Sequence, residues 1–171
     1  MTYLRHAPRH IHHTVADAIE GALDALHWTS TDEAQRPFGA TKVVVKRTGG
    51  VGRKDAMLEA GQVYVTIGSE WQPQTLELGG PLTEQSFPIF VDILMDEDAL
   101  AICLAADVRD ALLGRLASVP RVLPVIDQST ATPVPGWRIH LENVERLVPD
   151  QMFALHWQVV KVTARVEFQE S

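Results

Sequence analysis

From Phe87 to Met95 the apolar residues Phe87, Ile89, Val91, Ile93 and Met95 alternate with Pro88, Phe90, Asp92 and Leu94. A period of two predicts a strand. Both sets contain apolar side chains, so the strand belongs in the middle of a sheet, with Pro88 near its start. The period then changes to four: Leu100, Leu104, Val108, Leu112 and Leu116 recur, with Cys103 and Ala111 beside them. That is one face of a helix of about five turns. Asp96 stands at the expected N-cap, with Glu97 and Asp98 in the first turn, where the helix dipole favours acids. Asp107 and Arg109 fall off the apolar stripe and are expected towards solvent.

Ahead of this pair, Ile11, Val15, Ala18, Ile19, Ala22 and Leu26 mark a helix from about Arg9 to His27, with Pro8 in its first turn and residues 1–8 flexible. Thr29–Gly39 is a polar loop. Thr41–Arg47 is a short β-branched strand, and residues 48–54 form a mobile glycine-rich loop. A second strand covers Gln62–Ser69, and Glu70–Glu84 is an excursion with at most a partial strand. After the second helix, Arg121–Asp127 reads as an edge strand because Pro124 interrupts it. Residues 128–136 read as a second mobile loop.

Trp137, Ile139 and Leu141 alternate again before the phase shifts to Val144, and Pro149-Asp150 marks a turn. The last strand runs to Phe168. Its apolar set changes from Phe153, Leu155, Trp157 and Val159 to Val160, Val162, Ala164, Val166 and Phe168. A slip at Val159-Val160 predicts either a bulge or a strand whose halves face different layers. Strands are grouped and do not alternate with helices. The expected fold is therefore α+β: a single domain over 1–171, with a mainly antiparallel β-sheet and two principal helices packed against it.

Composition narrows the function classes. The 171 residues are 46% hydrophobic and 22% charged, with a net charge of −7. The acidic balance argues against broad attachment to nucleic acid or anionic lipid, and no apolar run approaches a membrane span. The basic, histidine-rich start lacks the apolar segment of a secretory signal. The one cysteine, Cys103, cannot form an intrachain disulfide, which fits a reducing compartment.

No catalytic set assembles from the sequence. His6, His10, His12 and His13 crowd the start, but no carboxylate or cysteine completes a metal site at ligand spacing, so they are read as solvated and pH-responsive. Gly49-Gly50-Val51-Gly52-Arg53-Lys54 is not a phosphate loop, because no glycine precedes the lysine and Asp55 follows it. Cys103 sits on the apolar helix stripe, as an inert thiol does. Ser69, Ser86, Ser118 and Ser129 lie in no nucleophile elbow. Helix capping accounts for Asp96, Glu97 and Asp98. Asp92 is expected as a half-exposed or salt-bridged strand residue, and His140 and His156 have no evident partner. The chain is therefore expected to be no enzyme and to carry neither metal nor cofactor. The candidate interface residues are Arg47, Arg53 and Lys54, around the basic loop, and Trp71, a large aromatic in a loop.

An amphipathic helix comes first, followed by a strand, a glycine-rich loop and another strand. The run Ser86-Phe87-Pro88-Ile89-Phe90-Val91-Asp92-Ile93 then leads to the helix Leu-Ala-Ala-Asp-Val-Arg-Asp-Ala-Leu (104–112), and aromatic-ended strands close the chain. This order and texture resembles the tail terminator proteins of long-tailed phages and the related tail-completion and neck proteins. The resemblance implies a structural virion protein assembled in the host cytoplasm. It would form a ring, expected as a hexamer, that caps the tail tube protein, stops polymerisation and offers its other face to the head-completion or connector protein. DNA would pass through unbound, and no membrane is involved. The long connections at Thr29–Ala40 and Glu70–Gln85 leave open a head-proximal neck role. A small ligand-binding protein or enzyme with a pocket under Glu70–Gln85 is the remaining reading.

Overall fold

The computed structural model describes residues 2–47, 59–67, 82–116, 119–147 and 156–169. The elements are α1 (Thr2–Ala25), β1 (Val44–Arg47), β2 (Gln62–Ile67), β3 (Leu82–Met95), α2 (Asp98–Leu112), β4 (Val122–Asp127), β5 (Thr132–Leu147) and β6 (His156–Gln169). The six strands form one sheet in the order β1-β2-β3-β6-β5-β4, antiparallel at every step except the parallel pair β1–β2. This is the expected α+β architecture.

β3 is central, between β2 and β6, and Phe87, Ile89, Val91, Ile93 and Met95 are fully buried. Val160, Val162, Ala164 and Val166 of β6 share that face through the pairs Val91↔Val160 and Ile89↔Val162. Leu100, Leu104, Val108 and Leu112 of α2 pack on it. The opposite face carries Tyr64, Asp92, Leu94 and Val159, all buried as well.

Several boundaries differ from the sequence reading. α1 begins at Thr2, so residues 2–8 of the stretch expected to be flexible are helical; Pro8 forgoes one N–H bond without ending the helix. α2 starts one residue later than expected. Glu97 is its N-cap, without a side-chain cap bond, while the Asp96 carboxylate accepts from Thr41 Oγ1 at 3.3 Å. The helix ends at Leu112, and Gly114, at φ +71, turns the chain.

Residues 128–136 are not a loop. Only 128–131 turn, and β5 already pairs at Thr132↔Asp127 and Pro133↔Ile126. Asp127 makes that turn tight: its Oδ1 accepts from Ser129 N (2.9 Å) and Ser129 Oγ (2.7 Å), and its carbonyl accepts from Ala131 N (2.8 Å). The phase slip at Val159-Val160 is not a bulge against β3, where pairing is continuous from Leu82↔Gln169 to Met95↔His156. Val159 and Val160 are buried on opposite faces, and the irregularity lies in β5 between Glu142 and Glu145, where Asn143 takes φ +50. The expected edge strand with Pro124 is β4, at the end of the sheet, with its register shift between Pro124 and Ile126.

α1 shows that the sheet is curled. His12 bonds to β2 and Thr14 to β4, although four strand spacings separate those strands. On a flat sheet they would lie about 19 Å apart, beyond the reach of two side chains on one helical turn. The sheet therefore wraps round, and α1 lies across its opening while α2 fills the hollow against β3, β5 and β6. Among the described residues no helix is long and apolar enough to cross a membrane.

Candidate functional site

The N-terminal histidines are structural clips. Ile11, Val15, Ile19 and Leu23 put one α1 stripe into the core, and His10, His12 and Thr14 are buried on its flanks where strand backbone approaches. His12 Nε2 lies 2.6 Å from the Val65 carbonyl. A carbonyl only accepts, so Nε2 carries the proton. Thr14 Oγ1 donates to the His10 carbonyl (2.7 Å) and accepts from Ile126 N (3.1 Å), while His10 Nδ1 accepts from Gln128 N (3.2 Å). Expected as solvated, His10 and His12 are instead buried, because the curled sheet brings strand backbone to both sides of the helix.

These bonds also close an edge. Leu141 N bonds to the Arg121 carbonyl, so odd residues at that end of β4 face β5, and Pro124 turns a nitrogen without hydrogen outward. Thr14 and His10 take the next outward amides, Ile126 and Gln128. A capped, proline-bearing edge does not template another strand.

Of the candidate interface residues, Arg47 is drawn onto α1. Its guanidinium pairs with Asp17, lies 2.9 Å from Glu20 Oε2, and donates to His13 Nδ1 at 3.2 Å. Partial burial first, then the positive charges of Arg47, His12 and Arg9, hold His13 below its ordinary pKa, with Asp17 opposing. Arg53, Lys54 and Trp71 lie outside the described residues, as does the loop 48–54.

Asp92, expected as half-exposed or salt-bridged, is not half-exposed. It is 1% exposed and accepts the Trp157 indole N–H at 2.8 Å, with Tyr64 opposite it in the ladder. Burial, then Glu59, raises the Tyr64 pKa. Further along the same face Arg165 pairs with Glu142 and Glu167, each at 2.8 Å, and His140 Nε2 lies 3.2 Å from Glu167. Arg165, donating to its carboxylate, lowers the Glu167 pKa most. His156 Nδ1 sits 3.6 Å from Asp98. Arg165–Glu142 and His140–Glu167 are cross-strand pairs between half-buried side chains, Arg165–Glu167 lies along β6, and His156–Asp98 ties β6 to α2.

No serine or cysteine is hydrogen-bonded to a histidine in the contacts of the described residues. Ser129 directs its hydroxyl proton to Asp127, and the nearby His10 Nδ1 is occupied by Gln128 N–H. The Ser129 hydroxyl, then the Ser129 amide, hold the Asp127 pKa low. Cys103 is partly buried against the core. No group of three metal-ligating side chains occurs among the described residues.

The most exposed large apolar side chain described belongs to the Thr29–Ala40 connection, where sequence reasoning singled out no residue. Phe38 is 81% exposed and takes φ +55, a left-handed conformation unusual for an aromatic. The loop is fastened at both ends: Trp28 and Ala40 are buried, and Val43 N bonds to the Trp28 carbonyl at 3.0 Å. Arg36 turns inward, donating to the carbonyls of Ala40 (2.6 Å) and Ser30 (3.1 Å). Asp32 accepts from Ala34 N at 3.0 Å. The signal in the sequence was Pro37-Phe38-Gly39, an aromatic held between two turn residues. The chain matches no protein-family model and no curated protein sequence.

Proposed function

We propose that this chain is a structural assembly protein of a long-tailed phage, a tail terminator that closes the end of the tail tube as a ring. The observation that carries the reading is the order of elements: helix, strand, strand, long central strand, helix and three strands, folded as one curled sheet around its helices. That is the order on which the resemblance to tail terminators rests. The buried His10, His12 and Asp92 and the half-buried Arg165 are engaged in clips and cross-strand contacts, which suits a scaffold. A net charge of −7 suits a ring through which a polyanion must pass without sticking. A head-proximal neck position is the second reading, favoured by the projecting Phe38 loop.

The test mixes purified chain with polymerising tail tube protein and follows tube length and end structure by negative-stain electron microscopy. The terminator reading expects a ring on one end of each tube and growth stopped there. Tubes that keep lengthening with bare ends refute it. Binding to the head connector instead of the tube selects the neck position.

A further inference from the structure

We infer that Phe38 is the anchor by which one copy of this chain docks on another, seated on the exposed stripe Lys42–Val44–Lys46 of its neighbour. Phe38 holds a strained left-handed backbone while burying little of its ring, so nothing within the described fold is gained from the aromatic there. Gly39 follows at φ +62 with open space where a Cβ would stand, so the tip projects away from the body. The conformation is nonetheless fixed. Gly39 N bonds to the Arg36 carbonyl and Ala40 N to the Pro37 carbonyl, and the Arg36 guanidinium bridges the loop. A rigid, exposed aromatic loses little entropy on docking, which is what a contact anchor requires.

Charge selects the occupant. The exposed charges beside Phe38 are acidic, Asp32 and Glu33, because the one arginine of the loop is turned inward. The seat must then be apolar with a basic rim. In β1 and the two residues before it, the exposed residues Lys42, Val44 and Lys46 alternate with Val43, Val45 and Arg47, which are buried or half-buried. Val44 is 41% exposed between two lysines, neither of which has a carboxylate within ion-pair distance among the described residues. The pairs Val44↔Gln62 and Lys46↔Tyr64 place the stripe at the β1 end of the sheet, opposite the capped β4 edge. Each copy thus carries an acid-rimmed aromatic and a lysine-rimmed apolar stripe.

This contact presupposes the assembly reading only in that copies of the chain meet, so its test uses the chain alone. Sedimentation velocity from about 1 µM to about 1 mM should show wild-type chain self-associating. Phe38→Gly should weaken that association by at least about tenfold while the melting temperature rises, because glycine relieves the backbone strain. Lys42→Glu with Lys46→Glu should also abolish association, and adding Glu33→Lys to that pair should restore it in part. A wild-type chain that stays monomeric over the whole range, or a Phe38→Gly chain that associates as wild type does, overturns the contact. Association through Phe38 without tube capping leaves the contact standing and removes the tail reading. Tube capping by Phe38→Gly as efficient as wild type, with unaltered self-association, does the reverse.

Discussion

Asp107 is the position where the structure most changes an expectation about stability. Off the apolar stripe of α2, it reads in sequence as a solvent-side residue whose loss costs under about 1 kcal/mol. In the fold it accepts the indole N–H of Trp28 at 2.7 Å, and Trp28 is 1% exposed. Asp107→Ala leaves that donor in the interior without a partner. A stranded buried donor costs about 1–3 kcal/mol, and an ionised acceptor places the loss in the upper half, about 2–3 kcal/mol. Trp28→Phe removes the donor itself and carries its own packing cost. In that background Asp107→Ala should cost under about 0.5 kcal/mol, so the double-mutant cycle should return a coupling of about 1.5–2.5 kcal/mol. Asp107→Asn retains an acceptor oxygen and should recover much of the loss. Urea unfolding followed by far-ultraviolet circular dichroism is the assay, since tryptophan fluorescence changes with the mutation itself. Equal costs of Asp107→Ala in both backgrounds would refute the reasoning and show the pair to be incidental.

Thr14→Val keeps the shape of a side chain that is 5% exposed but removes the acceptor for Ile126 N–H, and should cost about 1–3 kcal/mol. Hydrogen exchange at the Ile126 amide should accelerate with it, whereas Thr14→Ser should behave as wild type. Acidification should destabilise the fold in two stages. His13 has a lowered pKa, so the unfolded chain takes up its proton first and stability falls as pH drops below the ordinary histidine value. Asp127 and Glu167 are also lowered, so their contribution is present above the ordinary carboxylate range and lost as pH falls through it. Urea midpoints across pH 4–7 should show the first stage flattened in His13→Asn. A slope unchanged by that substitution would assign the loss to other groups.

Much of the fold was legible in the chain because periodicity reports burial directly. The alternation Phe87–Met95 located the central strand, and the four-residue spacing from Leu100 to Leu112 located the core face of α2. Pro124 marked the edge strand because a residue without an amide hydrogen is excluded from the middle of a sheet. Grouped strands were enough for the α+β class. What the sequence could not settle depends on residues far apart in the chain. His12 and Thr14 meet Val65 and Ile126 only because the sheet curls and brings its ends towards α1, and Trp28 meets Asp107 only because α1 packs beside α2. The slip at Val159-Val160 was visible, but its meaning required both faces of β6 to be covered, a property of layers and not of a strand. Arg47 read as a free basic residue until tertiary contact placed Asp17 and Glu20 of α1 against it. Local pattern determined which apolar side chains of β3 and α2 are buried. Only the closure of the sheet decided which polar groups those buried surfaces bring within bonding distance, because hydrogen bonds and ion pairs act over a few ångströms and have no period in the sequence.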